Sequence, residues 1–438
     1  MRPAVESEKL GIPSAVIITT GFTTAAQLAA KSWGIENLRL AEYPGAIGIH
    51  SPAEMAEKLR TVVLDRIVDS LTGNERGSAA TGLSMVASAG KTVFSGTFDG
   101  VNKFFCEQEW MDGLPIVPPS RERVDEFLKY TSRAADEQIA ILAPAKLKAT
   151  PRNIAANAIM AGCSPSHLPV IIAAVEALSD ENYNLNNIGS SSGISPFIIV
   201  NGPVVEKLGI ECGGQLISKG PNPAIGRAIG LIVRNIAGYR PGKNYMGSFG
   251  YPLVLAFAEN EKESPWDAFH VERGYGKGSS TVTVGVTNNW GHAPAPASGR
   301  DISGAQITLD VLCREIAKKV RVYESAETVM ITVLVSPPVA RSLADAGYSK
   351  QAVKEYLFEN AQRPLRDFIW ARKYTGGGKG ANTGASTNSS SPDEMTRLLA
   401  SPDVVQIVVC GDPHRNRVMV LEGGHAIPAT REINCYPD

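Results

Sequence analysis

The stretch FIIVNGPVVEKL, from Phe197 to Leu208, predicts a buried strand that leads through a tight turn into a helix. A second stretch, TVLVSPPVARSL from Thr332 to Leu343, has the same order. Each has four strand-like residues, a two-residue break, a proline, a valine, and a leucine five positions after the proline. In both copies a helical pattern follows, then a second strand and a loop with a histidine: Ala224 to Ile236, Leu253 to Ala258 and His270 in the first copy, and Lys350 to Asn360, Val404 to Val409 and His414 in the second.

Two explanations fit this repeat. A duplicated α/β unit would place a cleft where strand ends from both halves converge. Chance similarity is the alternative, because strand and helix patterns recur widely among α/β segments. The sequence therefore predicts an α/β fold with two halves, duplicated under the first explanation, and a cleft between them.

A small α/β unit is predicted before these halves. The run Ser14 to Thr20 is rich in β-branched residues, and Thr24 to Gly34 has a helical pattern that ends at glycine. Ala53 to Gly73 reads as an amphipathic helix opened by a serine and a proline. The small, polar and glycine-rich residues from Asn74 to about Asn102 predict an irregular connection. The predicted domains are residues 1–95, 104–325 and 326–438.

Composition narrows the class of protein. A chain of 438 residues is long enough for about three domains of ~150 residues each. The formal net charge of −1 gives no electrostatic footprint for nucleic acid or for an anionic membrane. No apolar run approaches the ~20 residues of a membrane span, and the charged start is unlike a signal peptide. We therefore expect a cytoplasmic protein that acts on a small molecule.

The six cysteines lie far apart in the sequence, without a CxxC pair, and this spacing favours reduced thiols over a disulfide framework. They are Cys106, Cys163, Cys212, Cys313, Cys410 and Cys435. Cys163 lies between two helical patterns, after Gly162 and before Ser164 and Pro165. A helix start favours a thiolate, so Cys163 is the candidate nucleophile or redox thiol. A buried structural cysteine is the alternative.

A glycine-rich run before a helix is the candidate anion site. Gly213, Gly214 and Gly220 allow close backbone approach, Asn222 precedes a proline at the start of the helix, and Arg227 adds positive charge. The run is neither a Walker A sequence nor GxGxxG, so no nucleotide cofactor is predicted. A tight turn before a packed helix is the alternative.

Charged residues gather between Ala256 and Gly276, just after a predicted strand. His270 and Glu272 would point the same way if the segment were extended, and they would form an acid/base pair or part of a metal site. Further ligands would have to come from His292, Asp412 or His414. The alternative is a solvated acidic loop with one hydrogen-bonded histidine. A metal cofactor is therefore one of several hypotheses.

Two further segments suggest pocket walls. Trp110 and Asp112 stand at a turn before a proline-stiffened strand, where they could line a substrate pocket or merely shape the turn. Residues 374–391 are of low complexity, and they predict either a lid that carries Lys379 or a disordered surface loop.

The chain resembles the UGSC-like proteins, which are named for a motif of selenocysteine or cysteine followed by glycine, serine and cysteine near the N-terminus. The resemblance covers nearly the whole chain and is carried by four long blocks: EWMDGLPIVPPSRERV, NAIMAGCSPSHLPVIIAAVEAL, GPNPAIGRAIGLIVRN and FAENEKESPWDAFHVERGYG. It implies a soluble α/β enzyme-like protein with a thiol-centred site. The thiol motif should precede the segment VESEKLGIPSAVIITTGF, and the chain has no GSC or CGS sequence. Either the motif lies on a partner chain, or the start differs, or this branch lacks that chemistry.

Four functional hypotheses follow. The leading one is an enzyme that attacks a small carboxylate or phosphate substrate with Cys163, in a lyase-like or hydrolytic step, with His270 or Glu272 as acid or base. The second is thiol redox chemistry with a cysteine of a partner chain. The third is a non-catalytic subunit whose partner supplies the missing motif. The fourth is a metal-dependent lyase or hydratase. We expect a homo-oligomer, or a hetero-oligomer with that partner.

Overall fold

The N-terminal unit contains two short parallel strands and four helices. The elements are α1 (Arg2–Lys9), β1 (Val16–Thr19), α2 (Thr23–Ser32), β2 (Leu40–Tyr43), α3 (Pro52–Lys58) and α4 (Leu64–Thr72). The hydroxyl of Ser51 accepts the backbone N–H of Glu54, whose carboxylate accepts the N–H of Ser51, so α3 begins with a capping box. The π-helical turn Leu59–Val63 joins α3 to α4. The predicted small α/β unit is confirmed.

The computed structural model describes residues 2–33, 35, 37–72, 90–189, 193–248, 250, 254–289, 291, 293–299, 301–320, 329–374, 391–424 and 426–434. The predicted connection after Asn74 lies largely outside these residues, and the next helix begins at Phe98, before the predicted end of the connection.

The first half of the larger body comprises residues 98–287. Its elements are α5 (Phe98–Glu107), α6 (Arg121–Leu128), β3 (Ala140–Leu142), β4 (Leu147–Ala149), α7 (Pro151–Ala161), α8 (Leu168–Leu178), β5 (Ser195–Asn201), α9 (Val204–Lys207), α10 (Asn222–Asn235), β6 (Leu255–Ala258), α11 (Phe269–Glu272) and β7 (Thr281–Thr287). The strand and helix predicted from Phe197 to Leu208 are β5 and α9.

The second half comprises residues 304–422 and is followed by one more strand. Its elements are α12 (Gly304–Lys319), β8 (Ile331–Val335), α13 (Pro337–Asp345), α14 (Lys350–Asn360), β9 (Gln362–Pro364), α15 (Leu365–Tyr374), β10 (Met395–Arg397), β11 (Val405–Val409) and β12 (Val418–Glu422), and the last strand is β13 (Ala429–Glu432).

Two mixed sheets form the centre of the molecule. The first sheet has the order β13-β7-β5-β6, and the second has the order β11-β8-β12. In the first, β5 runs parallel to β6 and antiparallel to β7. In the second, β8 runs parallel to β11 and antiparallel to β12. The α/β class is confirmed. The two halves share this strand arrangement, and their duplication stays a prediction.

The two sheets pack face to face, with helices on both outer sides. Successive side chains of a strand point to opposite faces of its sheet. Ile198 and Val200 of β5 therefore pack against α7, α8 and α10, whereas Phe197 and Ile199 point toward the other sheet. The inward residues of both sheets share one apolar cluster, made by Phe197, Ile199, Leu255, Phe257, Leu334, Val408, Cys410 and Leu421 together with Phe269. The outer face of the second sheet packs on α12, α13 and α14. The result is a four-layer αββα sandwich.

The strand β13 crosses the predicted domain boundary. It follows the second sheet in sequence, yet it pairs antiparallel with β7 of the first sheet, with Ala429 opposite Val284. Residues 429–432 were predicted within the domain 326–438, but they complete the sheet of the other half. The two halves are therefore joined by main-chain hydrogen bonds as well as by side chains.

Candidate functional site

A cavity of about 460 Å³ opens at one end of the space between the sheets. Residues of both halves line it: α11 and the residues after it belong to the first half, and α14 and the start of β11 belong to the second, while β13 also contributes. The lining includes Glu272, Arg273, Tyr275, Lys354, Thr430 and Arg431. We call it the larger cavity, and the predicted cleft between duplicated halves stays a prediction.

Arg273 lines this cavity and is held by several hydrogen bonds. Its guanidinium donates hydrogen bonds to Oγ1 of Thr430 at 2.6 Å, to Oε1 of Gln406 at 3.4 Å and to the carbonyl of Pro428. It also stacks on Phe269, with 5.5 Å between Cζ and the ring centroid. Burial lowers the pKa of Arg273. All three hydrogen-bond acceptors are neutral, and the half-buried guanidinium forms no ion pair with any residue that the structure describes. The negative charge of Glu272 acts on it only through space.

Two more cations and three carboxylates line the larger cavity, and one carboxylate, Asp403, forms no ion pair with any residue that the structure describes. Arg431 donates to Oδ2 of Asp180 at 2.8 Å, and Nζ of Lys354 lies 3.3 Å from Oε2 of Glu272. The cavity is thus lined by three cations and three carboxylates. Its capacity to bind an anion depends on Arg273, whose guanidinium is hydrogen-bonded only to neutral oxygens.

His270 and Glu272 do not form the predicted pair. They lie in the helical turn α11 rather than in an extended segment, and residues two apart on a helix face different directions. His270 is fully buried, with Nε2 3.1 Å from the carbonyl of Gly276 and Nδ1 3.6 Å from Oε1 of Glu261. Glu272 instead lines the cavity and pairs with Lys350 at 2.7 Å. The predicted shared direction is wrong because the segment is helical.

A second cavity, of about 240 Å³, lies where β8 and β11 end. The glycine-rich loop of the first half reaches over these strand ends, and the N–H of Gly411 donates to the carbonyl of Cys212 at 2.8 Å. A Cβ on Gly214 would lie 3.4 Å from Oδ2 of Asp412. The structure thus brings together two predicted site residues from different halves, Gly214 and Asp412, and Asp412 lines this cavity, which we call the smaller cavity.

The predicted anion-binding groups are occupied by the protein itself. The N–H of Gly213 donates to the carboxylate of Glu211 at 2.8 Å, and the side-chain amide of buried Asn222 bonds only to backbone groups. Arg227 makes a two-point contact with Asp112, with both N···O distances at 2.8 Å. Because Asp112 already neutralises Arg227, this pair fixes a turn instead of lining the larger or the smaller cavity.

Gly220 also has a conformational role. It has a φ of +62°, and a Cβ there would lie 3.0 Å from the carbonyl oxygen of Gly209. The glycine is therefore required by its turn. The segment from Gly213 to Arg227 fits the alternative interpretation, a tight turn before a packed helix.

Cys163 lies where the sequence placed it, between the left-handed cap Gly162 and the turn that begins at Ser164. Its surroundings differ from the prediction. The residue is 9% exposed and packs in the core of the first half, and burial raises the pKa of its thiol to about 12. The expected stabilisation of a thiolate is wrong in direction, because the loss of hydration on burial raises the pKa by more than the charge of Arg227 lowers it.

The metal candidates are dispersed. His414 is exposed, and Asp412 accepts the N–H of His414 and the side chain of Arg415, while His270 is buried in another part of the molecule. His292 lies outside the described residues. Among the residues that the structure covers, no group of three or more His, Cys, Asp and Glu side chains could hold a metal ion.

The remaining candidates are outside the cavities or outside the structure. Trp110 packs edge-on against Phe104 and Phe105, at centroid distances of 5.8 and 5.3 Å, and so belongs to the core. Lys379 and nearly all of the predicted lid lie outside the described residues.

Sequence reasoning missed most of the larger cavity. Arg273 was one charge among several in a loop, and nothing in the sequence separated it from its neighbours. No pattern in the sequence marked Thr430 or Arg431 as a site residue, because the strand that carries them pairs with a segment far away in the sequence.

Comparison with known proteins is informative only for the N-terminal unit. None of the helices described here is both long and apolar enough to cross a bilayer. No curated protein and no solved structure matches the chain. The model of the UGSC family matches residues 1–73, the segment that contains β1, β2 and helices α1 to α4. The predicted resemblance to the UGSC family is thereby confirmed over residues 1–73.

Proposed function

We propose that this chain is an enzyme that binds a small anionic substrate in the larger cavity, with Arg273 as the principal anion contact. The observation that carries the proposal is the environment of Arg273: a half-buried guanidinium that bonds only to neutral oxygens. A guanidinium has five N–H donors, and three bonds are made here. Two donors are left for a two-point contact with a carboxylate or phosphate.

The rest of the cavity supports a small substrate with one or two negative charges. Its volume of about 460 Å³ lies within the range of small-molecule pockets, ~300–1,000 Å³. Lys354 and Arg431 contribute further positive charge, and both are held by carboxylates that a bound anion could replace as partners.

Glu272 is the residue we propose as acid or base. Its carboxylate lines the cavity next to Arg273, and its contacts with Lys350 and Lys354 fix its position. Proton transfer by such a carboxylate fits a lyase-like or hydrolytic step on the bound anion. Cys163 has no role in this proposal, since it is buried in the core of the first half.

The proposal is tested by titrating the protein with small carboxylates and inorganic phosphate in a calorimeter. The wild-type chain should bind at least one of them, and Arg273→Gln should weaken that binding at least tenfold. Arg273→Lys should recover only part of the affinity, because lysine keeps the charge but loses the two-point geometry. Circular dichroism checks that each variant is folded.

The matched control is Arg341→Gln, which removes an arginine that pairs with Glu263 on the surface. It should bind the same anion as well as the wild type. Equal affinity in Arg273→Gln and in this control would overturn the proposal. For an anion that is turned over, Glu272→Gln should retain binding and lose activity.

We also propose a cytoplasmic location and an oligomeric assembly. The five cysteines in the described part of the chain are free thiols, as expected in a reducing compartment. Light scattering on the purified protein tests the assembly, and co-purification would reveal a partner chain that supplies a thiol motif.

A further inference from the structure

We infer that the smaller cavity is a second binding site, and that its ligand is an apolar carboxylate: a short hydrocarbon body with one carboxylate at its end. The cavity of about 240 Å³ has apolar walls and a basic rim. Its location at the carboxyl ends of the parallel strands β8 and β11 is where α/β proteins commonly bind ligands.

The walls come from both halves of the molecule. Leu216 and Ile217 belong to the glycine-rich loop, and Leu334, Cys410 and Met419 belong to the second sheet. These side chains offer hydrocarbon and sulfur surface, so the body of the ligand gains by leaving water.

The rim is basic on balance. Arg415 and Arg417 both line the opening, and only Asp412 offsets them, through a contact of 3.2 Å between its Oδ2 and Nε of Arg415. The guanidinium of Arg417 bonds to the backbone carbonyl of Asn416, and it forms no ion pair with any acidic side chain that the structure describes. One carboxylate at the rim would leave these charges balanced.

The buried hydroxyl of Ser336 also lines the smaller cavity. Ser336 is 3% exposed and lines the cavity, and its Oγ accepts the N–H of Arg417 at 3.0 Å. Because that bond uses a lone pair, the O–H of Ser336 is left to donate to a ligand oxygen. A ligand carboxylate that accepts this O–H would lie next to Arg417.

The loop over the cavity contains a residue in a left-handed conformation. Gln215 has a φ of +62°, a left-handed conformation that costs a non-glycine residue about 1 kcal/mol. Gly214 beside it leaves room for Asp412. The loop thus holds two apolar side chains over the strand ends while the rim stays open.

This site is separate from the proposed substrate site. The larger cavity lies at the amino end of β11, next to Gln406, and the smaller one at its carboxyl end, next to Cys410. The second ligand would be a co-substrate or an effector, and its binding does not depend on Arg273.

The test uses hexanoate as the probe, followed by calorimetry and by protein-observed NMR. Hexanoate should bind saturably, and hexanol and acetate should bind at least tenfold more weakly, since one lacks the charge and the other the apolar body. The double variant Arg415→Gln/Arg417→Gln should weaken hexanoate binding at least tenfold. Both arginines are exposed, so the fold should tolerate the change.

Arg273→Gln is the control that separates the two sites. Hexanoate, acetate and hexanol are therefore compared in this background, where a carboxylate cannot use the proposed contact of the larger cavity, and hexanoate should still bind saturably. The inference is overturned if hexanoate does not saturate there, if acetate or hexanol binds as tightly there, or if adding Arg415→Gln/Arg417→Gln leaves the affinity unchanged.

Discussion

Nζ of Lys350 lies 2.7 Å from Oε1 of Glu272, and this ion pair joins the second half of the molecule to the first. Lys350 is 5% exposed, donates to the carbonyl of Asp267 at 2.8 Å, and lies 3.6 Å from Oε1 of the fully buried Glu259. The buried ammonium of Lys350 therefore interacts with two carboxylates, those of Glu259 and Glu272, and Glu272 lines the larger cavity.

Replacing Lys350 with methionine should destabilise the protein strongly. The change leaves Glu259 without its cation in a buried position, and breaking a buried pair in this way costs about 3–5 kcal/mol. Chemical denaturation measures the loss of unfolding free energy. The control Lys277→Met removes an exposed partner of Asp267 and should leave the midpoint nearly unchanged. Similar midpoints for the two variants would contradict the prediction.

The Asp112–Arg227 pair should make stability depend on acid pH. Burial raises the pKa of Asp112, but the hydrogen bonds and the charge of Arg227 outweigh it, so the net pKa is lowered. The folded chain then holds fewer protons than the unfolded chain, whose aspartate titrates at about 3.9. The stabilisation is present above that pH and is lost as the pH falls through the lower folded value.

Unfolding free energies measured between about pH 5 and pH 2 should fall less steeply in Asp112→Asn than in the wild type. Asp345→Asn, at an exposed residue at the end of α13, is the control and should keep the wild-type slope. Parallel curves for wild type and Asp112→Asn would rule out this role.

Cys163 should resist alkylation while the protein is folded. Its thiol is buried and has a pKa raised to about 12, whereas Cys106 is exposed. Iodoacetamide at pH 8, read by mass spectrometry, should label Cys106 first and Cys163 only after denaturation. Equal labelling of both cysteines in the native protein would contradict the burial.

The same thiol predicts a loss of stability in alkali. An unfolded thiol ionises at about 8.5, and the folded thiol keeps its proton up to about 12. Between these values the folded state holds more protons, so the contribution of Cys163 to stability falls as the pH rises. Cys163→Ala should show a shallower decline between about pH 8.5 and pH 11 in the same denaturation assay. A decline as steep as in the wild type would assign the effect to other groups.

Two glycines of helix α10 should respond oppositely to alanine. A Cβ at Gly226 would lie 2.0 Å from the carbonyl oxygen of Val254, so Gly226→Ala should force α10 away from β6 and destabilise by about 1–3 kcal/mol or more. At Gly230 the nearest atom would be a side-chain methyl of Val254 at 3.7 Å. Gly230→Ala should stabilise by about 0.5–1 kcal/mol. Thermal unfolding of both variants checks the opposite signs, and a loss at both positions would argue against this packing.

More of the layered fold than of the candidate site could be predicted from the sequence. Runs such as the one from Phe197 carry their own burial signal, and the helix Asn222–Asn235 has an apolar face and a proline near its start. These are local properties of the chain. The direction in which β7 and β12 pair, and the inward face of each sheet, depend on the partner and have no such signal.

The site depends on groups that meet only after folding. The pairing of Arg227 with Asp112 joins positions that the sequence analysis treated as separate pocket candidates. Cys163 shows the same limit, since its place between two helical segments was correct while its burial was decided by helices elsewhere. Local spacing identifies a charged or reactive residue, and tertiary packing decides whether its charge is free.

The pairing of β13 with β7 has a consequence for the order of folding. The chain leaves β7 at Thr287 and returns to it at Ala429, roughly 140 residues later, after the whole second sheet. At a synthesis rate of about 5–20 residues per second, the edge of β7 stays open for on the order of ten seconds on the ribosome. The first sheet is thus synthesised before the second but is completed after it, when β13 pairs with β7. Until then the unpaired edge of β7 is the surface that a chaperone would have to shield.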